Sequence, residues 1–369
     1  MAERKRKSTT TSAFGVSGRE SHDASGFYSR FEAPAVLTDE TVNPCAVADQ
    51  IIVGDSRKMT EVADNSVALV VTSPPYFAGK AYEEELGAGA IPASYVDFLT
   101  MLRDVFRECW RVLEPGGRIA VNVANLGRKP YRSLSADVID ILQNDLGFLL
   151  RGEIVWVKGE GASGSCAWGS YGSAANPVFR DLSERIIVAS KGRFDRAVKK
   201  PQRKLMGLPW EDSIDPEDFR NWTLDVWKMP AESAKRVGHP APFPIELPRR
   251  MIELLTYRDD VVLDPFMGAG STAIAAVRTG RHYVGYDLDP GYAELSEQRI
   301  ATEVRGLTAP GQTASPPPVP NGRNQPSPPF GGAAKLRAPK NKTVEVTTVA
   351  AKKVAAKKAA PKKKQAAKA

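Results

Sequence analysis

Cysteine and histidine are scarce, with three of each in 369 residues. Cys45, Cys109 and Cys166 are far apart and form no CxxC pair. That excludes a disulfide framework and points to a reducing compartment. With only His22, His239 and His282 present, no His/Cys metal site is expected. No apolar run approaches the ~20 residues that a spanning helix needs, so no membrane partner is expected. The opening MAERKRKSTTTS is basic but lacks the apolar stretch of a signal peptide.

Charge is unevenly placed. The chain carries a net +8, but residues 331–369 hold 12 Lys/Arg against one acid, Glu345. That segment is therefore +11, and residues 1–330 are −3. The tail AAKKVAAKKAAPKKKQAAKA has neither aromatics nor base-reading groups. It reads as a non-specific, salt-sensitive binder of phosphates.

Composition divides the chain. Residues 1–45 are rich in Ser, Thr and charge without apolar periodicity and read as disordered. A body follows over 46–306, then a Pro/Gly/Ser-rich linker over 307–334 and the basic tail over 335–369. Within the body, strand-like and helix-like patterns alternate. QIIVGD, SVALVVTS, RIAVNV, GEIVWVK, DVVLDPF and HYVGYDL read as strands. SYVDFLTMLRDVFRECWRVL, stopped by EPGG, LSADVIDILQNDLG, PIELPRRMIELLTY and STAIAAVRTG read as helices. The alternation predicts an α/β fold with a doubly wound, mostly parallel sheet. Such sheets bind ligands beyond the carboxyl ends of their strands.

Two stretches occupy that position. In VVTSPPYF, Pro74 and Pro75 have no N–H to continue a ladder. Their carbonyls and the Ser73 hydroxyl can accept hydrogen bonds, and Tyr76 offers a flat face beside them. The set suits a planar ligand that donates hydrogen bonds. In VVLDPFMGAGSTAIAA, Gly268 and Gly270 permit a sharp strand-to-helix turn, and the amides near Ser271 and Thr272 open an anion site. Asp287 ends the next strand, where an acid binds two ribose hydroxyls in dinucleotide folds. No Lys precedes the hydroxyls, so this is no triphosphate-binding loop. It fits a ligand bearing a ribose and a small anion such as an amino-acid carboxylate.

Together these stretches resemble the amino-group DNA methyltransferases that use S-adenosyl-L-methionine. TSPPY resembles their catalytic motif and FMGAGS (266–271) their cofactor motif, with the catalytic motif first, as in the permuted β group. IIVGDS resembles the strand whose acid, here Asp55, lies near the cofactor adenine. GHPAPFPIELPRRMIELLT resembles the segment before the cofactor loop, with His239 either capping a loop or bordering the pocket. WGSYGSAANPVFRDLSERIIVASKG resembles a stretch common among cytosine-N4 enzymes. The likeness covers residues 46–303.

The resemblance implies a Rossmann-like methyltransferase fold with a catalytic part at 46–159, a target-recognition region at about 160–237 and a cofactor part at 238–306. Ser73, Pro74, Pro75 and Tyr76 would hold a flipped base of double-stranded DNA. Asp55, Asp264, Phe266, Gly268, Gly270, Ser271, Thr272 and Asp287 would surround the cofactor. Trp156 and Lys158 are read as packing and flanking the sheet. Ser73 implies cytosine N4, with adenine N6 the alternative. A nucleoid-binding protein with a degenerate cofactor domain is a further reading, opposed by the joint presence of the two motifs. A companion restriction endonuclease and a cytoplasmic, nucleoid-associated location are implied as well.

Overall fold

The computed structural model describes residues 36–75, 94–125, 130–159, 169–232, 237 and 243–308. Strand β1 (Gln50–Val53) is followed by β2 (Val67–Thr72), helix α1 (Tyr95–Val112) and β3 (Leu113–Val123). Helix α2 (Leu134–Asp140) ends in a π-turn over Ile141–Asp145, and β4 (Leu149–Val157) and β5 (Ser183–Ser190) come next. Short helices α3 (Lys200–Leu205) and α4 (Pro216–Trp222) lead to β6 (Val226–Lys228). Helix α5 (Glu246–Leu255), β7 (Val261–Asp264), α6 (Ser271–Thr279), β8 (His282–Asp287) and α7 (Pro290–Thr308) complete the order.

The strands form one sheet in the order β1-β8-β7-β2-β3-β5-β4-β6. Every pairing is parallel except those of β5, which runs against both β3 and β4. The doubly wound, mostly parallel sheet is therefore as expected. β7 comes late in the chain yet lies beside β2, with Leu69 opposite Val262 and Val70 opposite Leu263. The chain leaves β2 toward one side of the sheet and β7 toward the other, so a crevice opens between them at their carboxyl ends.

All six residues of β2 are buried, as befits a strand covered on both faces. One layer packs α1 and α2 on the sheet through Phe98, Leu102, Phe106, Leu134 and Val138. The other packs α5 and α6 against Trp156, Trp222 and Trp227. Ser94 caps α1 by accepting from the Asp97 N–H, and the apolar stripe behind it is spaced for one helical face.

Two expectations need correction. EPGG ends α1 but does not leave the sheet. Val67 pairs with Leu113 and Leu69 with Arg118, so residues 114–117 form a bulge inside β3. Gly116 sits there at φ 77°, where an added Cβ would lie 1.9 Å from the Asp195 carbonyl oxygen. Order also begins before residue 46. The Leu37 N–H donates to the Gly192 carbonyl at 2.8 Å and the Asn43 N–H to the Asn65 carbonyl at 3.0 Å. Finally, the span 160–237, expected as a target-recognition region, also supplies β5 and β6 to the sheet. Residues 1–35, most of the linker and the basic tail lie outside the described residues.

Candidate active site

The two loops are tied together by one carboxylate. Thr72 at the end of β2 donates from its hydroxyl to Asp264 Oδ1 at 2.7 Å. Thr272 in the first turn of α6 donates to Asp264 Oδ2 at 2.8 Å, and the Phe266 N–H donates to Oδ1 at 3.1 Å. Asp264, Thr72 and Thr272 are all buried. Burial pushes the Asp264 carboxyl up to about 6, against the pull of its three donors. The side chains of Asp264 and Thr272, expected around a cofactor, are thus directed at each other. They hold the glycine loop against β2. Ser271 is buried beside them, and Phe266 packs partly into the α1 layer.

The loop itself is pinned from β8. The Gly268 N–H donates to Asp287 Oδ2 at 2.8 Å, and the Asp289 N–H to Oδ1 at 2.9 Å. Desolvation raises the Asp287 carboxyl above its ordinary value, with these donors opposing. Gly270 takes φ 78°, and a Cβ there would lie 2.8 Å from Ser296 Cβ on α7. The turn therefore needs glycine for its handedness and for helix packing. Helix α6 begins at Gly270 with no side-chain cap. Such an N-terminus favours an anion.

Asp55 follows β1, whose neighbour is β8. Val53 is opposite Asp287, and the Gly54 N–H donates to the Asp287 carbonyl at 2.9 Å. The two acids thus leave adjacent strands at the same edge. Arg57 grips the Asp55 carboxylate, its Nη2 2.6 Å from Oδ2, and lowers the Asp55 pKa. Asp55, Arg57, Lys58, Asp104, Arg107 and Glu108 line an open cavity of about 360 Å³.

Ser73 stands across the crevice. Its hydroxyl donates to the Asn122 carbonyl at 3.1 Å. The Asn122 amide nitrogen lies 3.4 Å from Ser73 Oγ and 2.5 Å from Glu184 Oε2. Glu184 in turn pairs with Lys158. Asn122 and Glu184 escaped the sequence reading, although a lone amide in the apolar IAVNV was a visible signal. Pro74 is buried and Pro75 partly so. Tyr76 and His239 lie outside the described residues.

The expected recognition region divides between the two edges of the sheet. The β4–β5 connection lies at the Ser73 edge, and there Tyr171 and Phe179 are 81% and 90% exposed. KKPQRKLMGLPW lies at the opposite edge. Arg203 of α3 is buried and pairs with Glu114 at 3.3 Å and Asp260 at 3.2 Å, residues at the amino ends of β3 and β7. Arg196 joins the same two acids. Among the described residues, no cluster of acids, His and Cys could hold a metal ion, and no helix is long and apolar enough to cross a membrane.

A DNA methylase family profile, N6_N4_Mtase, matches residues 67–298. The chain belongs to this family of DNA methylases, whose profile spans both strands of the crevice. It is 29% identical over 291 residues to the Type II methyltransferase M.MjaI of Methanocaldococcus jannaschii, covering 70% of this chain and 93% of the relative. It is 31% identical to a Thermus thermophilus protein described as a DNA modification methylase and solved with S-adenosyl-L-methionine. That likeness has a TM-score of 0.54 and covers 70% of this chain and 95% of the other. The PvuII DNA methyltransferase, cytosine-N4-specific, shares the fold at 20% identity and TM-score 0.51, over 72% of this chain and 96% of its own.

Proposed function

We propose that this DNA methylase is site-specific and methylates the N4 amine of a cytosine flipped out of double-stranded DNA. The alternative target is the N6 amine of adenine. The observation that carries the reading is the placement of Ser73 and of the Gly268–Gly270 loop on adjacent strands, locked through Thr72, Asp264 and Thr272.

The residues present fit S-adenosyl-L-methionine. An uncapped helix start at Ser271 suits the carboxylate of the methionine end. Asp287, already fixed by the Gly268 amide, suits the ribose hydroxyls, and Asp55 lies one strand farther along for the adenine end. When bound, the cofactor supplies an electrophilic methyl group. Gly268 and Gly270 let the backbone approach it, while Asp264, Phe266 and Thr272 keep that backbone in place.

An exocyclic amine is a weak nucleophile because its lone pair is delocalised into the ring. Ser73 Oγ, whose proton is given to the Asn122 carbonyl, serves as an acceptor for one amine N–H, and the Pro74 carbonyl for the other. Accepting both N–H groups drives the nitrogen toward tetrahedral geometry and places negative dipoles where positive charge develops. Pro75 stiffens the loop, and Tyr76 stacks on the extruded base. The proton is lost after the methyl is transferred, so no base is required beforehand. A serine at this position accompanies cytosine N4 in the family the motifs resemble. The exposed Tyr171 and Phe179 at the same edge contact the target duplex, and the basic tail adds non-specific affinity for phosphates. Partnership with a restriction endonuclease and residence on the nucleoid follow from this reading.

Expression in a methylation-free host, followed by sequencing of its DNA for N4-methylcytosine and N6-methyladenine, tests base and site together. N4-methylcytosine at one sequence context is expected. N6-methyladenine alone overturns the base, and unmodified DNA from well-folded, cofactor-binding protein overturns the reading.

A further inference from the structure

Beside Ser73 lies a buried polar pair that neither motif contains. Asn122 on β3 and Glu184 on β5 are 1% and 5% exposed, on the sheet face otherwise lined by Ala120, Ile186, Trp156 and Trp227. Polar groups so buried are costly unless paired. Glu184 is paired with the Asn122 amide and with Lys158. Asn122 is not fully paired, because its Oδ1 is buried with no partner among the described residues.

That unpartnered oxygen shows what dictates the orientation. A carboxylate is acceptor-only, so Asn122 must turn its N–H groups toward Glu184 and strand its own oxygen. With the amide held so, one N–H reaches Glu184 Oε2 at 2.5 Å and the nitrogen is 3.4 Å from Ser73 Oγ. The same residue's carbonyl takes the Ser73 proton at 3.1 Å. A flipped amide would present Oδ1 to Ser73 and invite its hydroxyl to swing round and donate there. The serine would then meet an incoming amine with its proton and not its lone pair.

We propose that Glu184, with Lys158 as counter-ion, is a positioning residue that acts through the Asn122 amide to hold Ser73 as a hydrogen-bond acceptor for the target amine. This rests on the reading of Ser73 given above. Glu184 touches neither base nor cofactor. Its charge is worth having because it removes one of two otherwise similar amide orientations, a choice that a neutral partner leaves open.

The test is a double-mutant cycle with single-turnover methylation at saturating DNA and cofactor. Glu184→Gln is nearly isosteric but can donate or accept, so it no longer dictates the flip. Its rate is expected to fall at least tenfold, with cofactor affinity by calorimetry and DNA affinity by anisotropy within about twofold of wild type. In a Ser73→Ala background, Glu184→Gln should cost less than about twofold more. Asn122→Ala is the second variant, with the same expected pattern should Glu184→Gln fold poorly. Equal fold-losses in both backgrounds would overturn the relay while leaving Ser73 in its role. A wild-type rate for Glu184→Gln would overturn it too, as would a parallel loss of cofactor affinity and thermal stability, which marks a purely structural contact. If Ser73→Ala alone keeps the wild-type rate, the underlying reading of Ser73 fails instead.

Discussion

Replacing Asp264 with asparagine should change how the stability of the fold responds to pH, and the size of the change can be worked out. Asp264 is fully buried, and its carboxyl is raised from 3.8 to about 6, chiefly by desolvation. Because the folded pKa lies above the unfolded one, the native state binds the proton more tightly. Stability from this group is then fully present below the unfolded value and lost as pH rises through the folded one. A shift of roughly two units corresponds to about 3 kcal/mol across that window. Asparagine cannot ionise, so it removes this dependence. It also turns an N–H toward one of the three donors, Thr72, Thr272 or the Phe266 amide, at a pH-independent cost of about 1–3 kcal/mol. The stability difference between variant and wild type should therefore move by about 2.4 kcal/mol in the variant's favour between pH 4 and pH 7. Urea unfolding of both proteins at several pH values measures it, since all other titrations cancel in the difference. A difference that stays flat with pH would refute the raised pKa of the buried Asp264.

Asp287→Ala should weaken S-adenosyl-L-methionine binding by about 10–150-fold, the equivalent of roughly 1.5–3 kcal/mol for lost charge-assisted bonds, as calorimetry would show. Truncation after Thr308 should preserve folding, cofactor binding and the methylated site. If about six tail charges meet phosphates, the salt slope of DNA binding should flatten by about 5, and an unchanged slope would exclude tail contact. Alanine at Tyr171 and Phe179 should reduce DNA affinity with cofactor affinity intact. Alanine at Lys199 and Lys204, beside the buried Arg203 at the far edge, should leave the methylated sequence and the turnover unchanged in a plasmid protection assay.

Both loops stand out in the sequence because a proline pair, glycines and an acid at a strand end are unusual in a buried sheet, and the strands they leave are neighbours. The partners of those loops do not stand out. Thr72 meets Asp264 across 192 positions of sequence, and Asn122 meets Glu184 across 62, separations that no local pattern encodes. Nor does the sequence show that the Asp264 and Thr272 side chains are bonded to each other. Strand β5 was missed as a strand because SERIIVAS sits in a stretch rich in small and polar residues. KKPQRKLMGLPW falls within the region expected to recognise the target. Its buried Arg203 holds it at the edge of the sheet opposite Ser73, an outcome set by Glu114 and Asp260, which lie far from it in sequence.

The strand order also sets a timetable for the growing polypeptide. β2 and β3 leave the ribosome early, but β2 lacks its inner neighbour until β7 follows. At about 5–20 residues per second, the 192 positions from Thr72 to Asp264 take about 10–40 seconds to make. For that interval the apolar VALVVT strand has an open edge, the geometry most prone to pair with another chain. The two halves of the crevice therefore join late, and the pairing of β1 with β8, from Gln50 to Val284, comes later still. A nascent chain halted before β7 exposes that edge, and it should be aggregation-prone and without methylation activity.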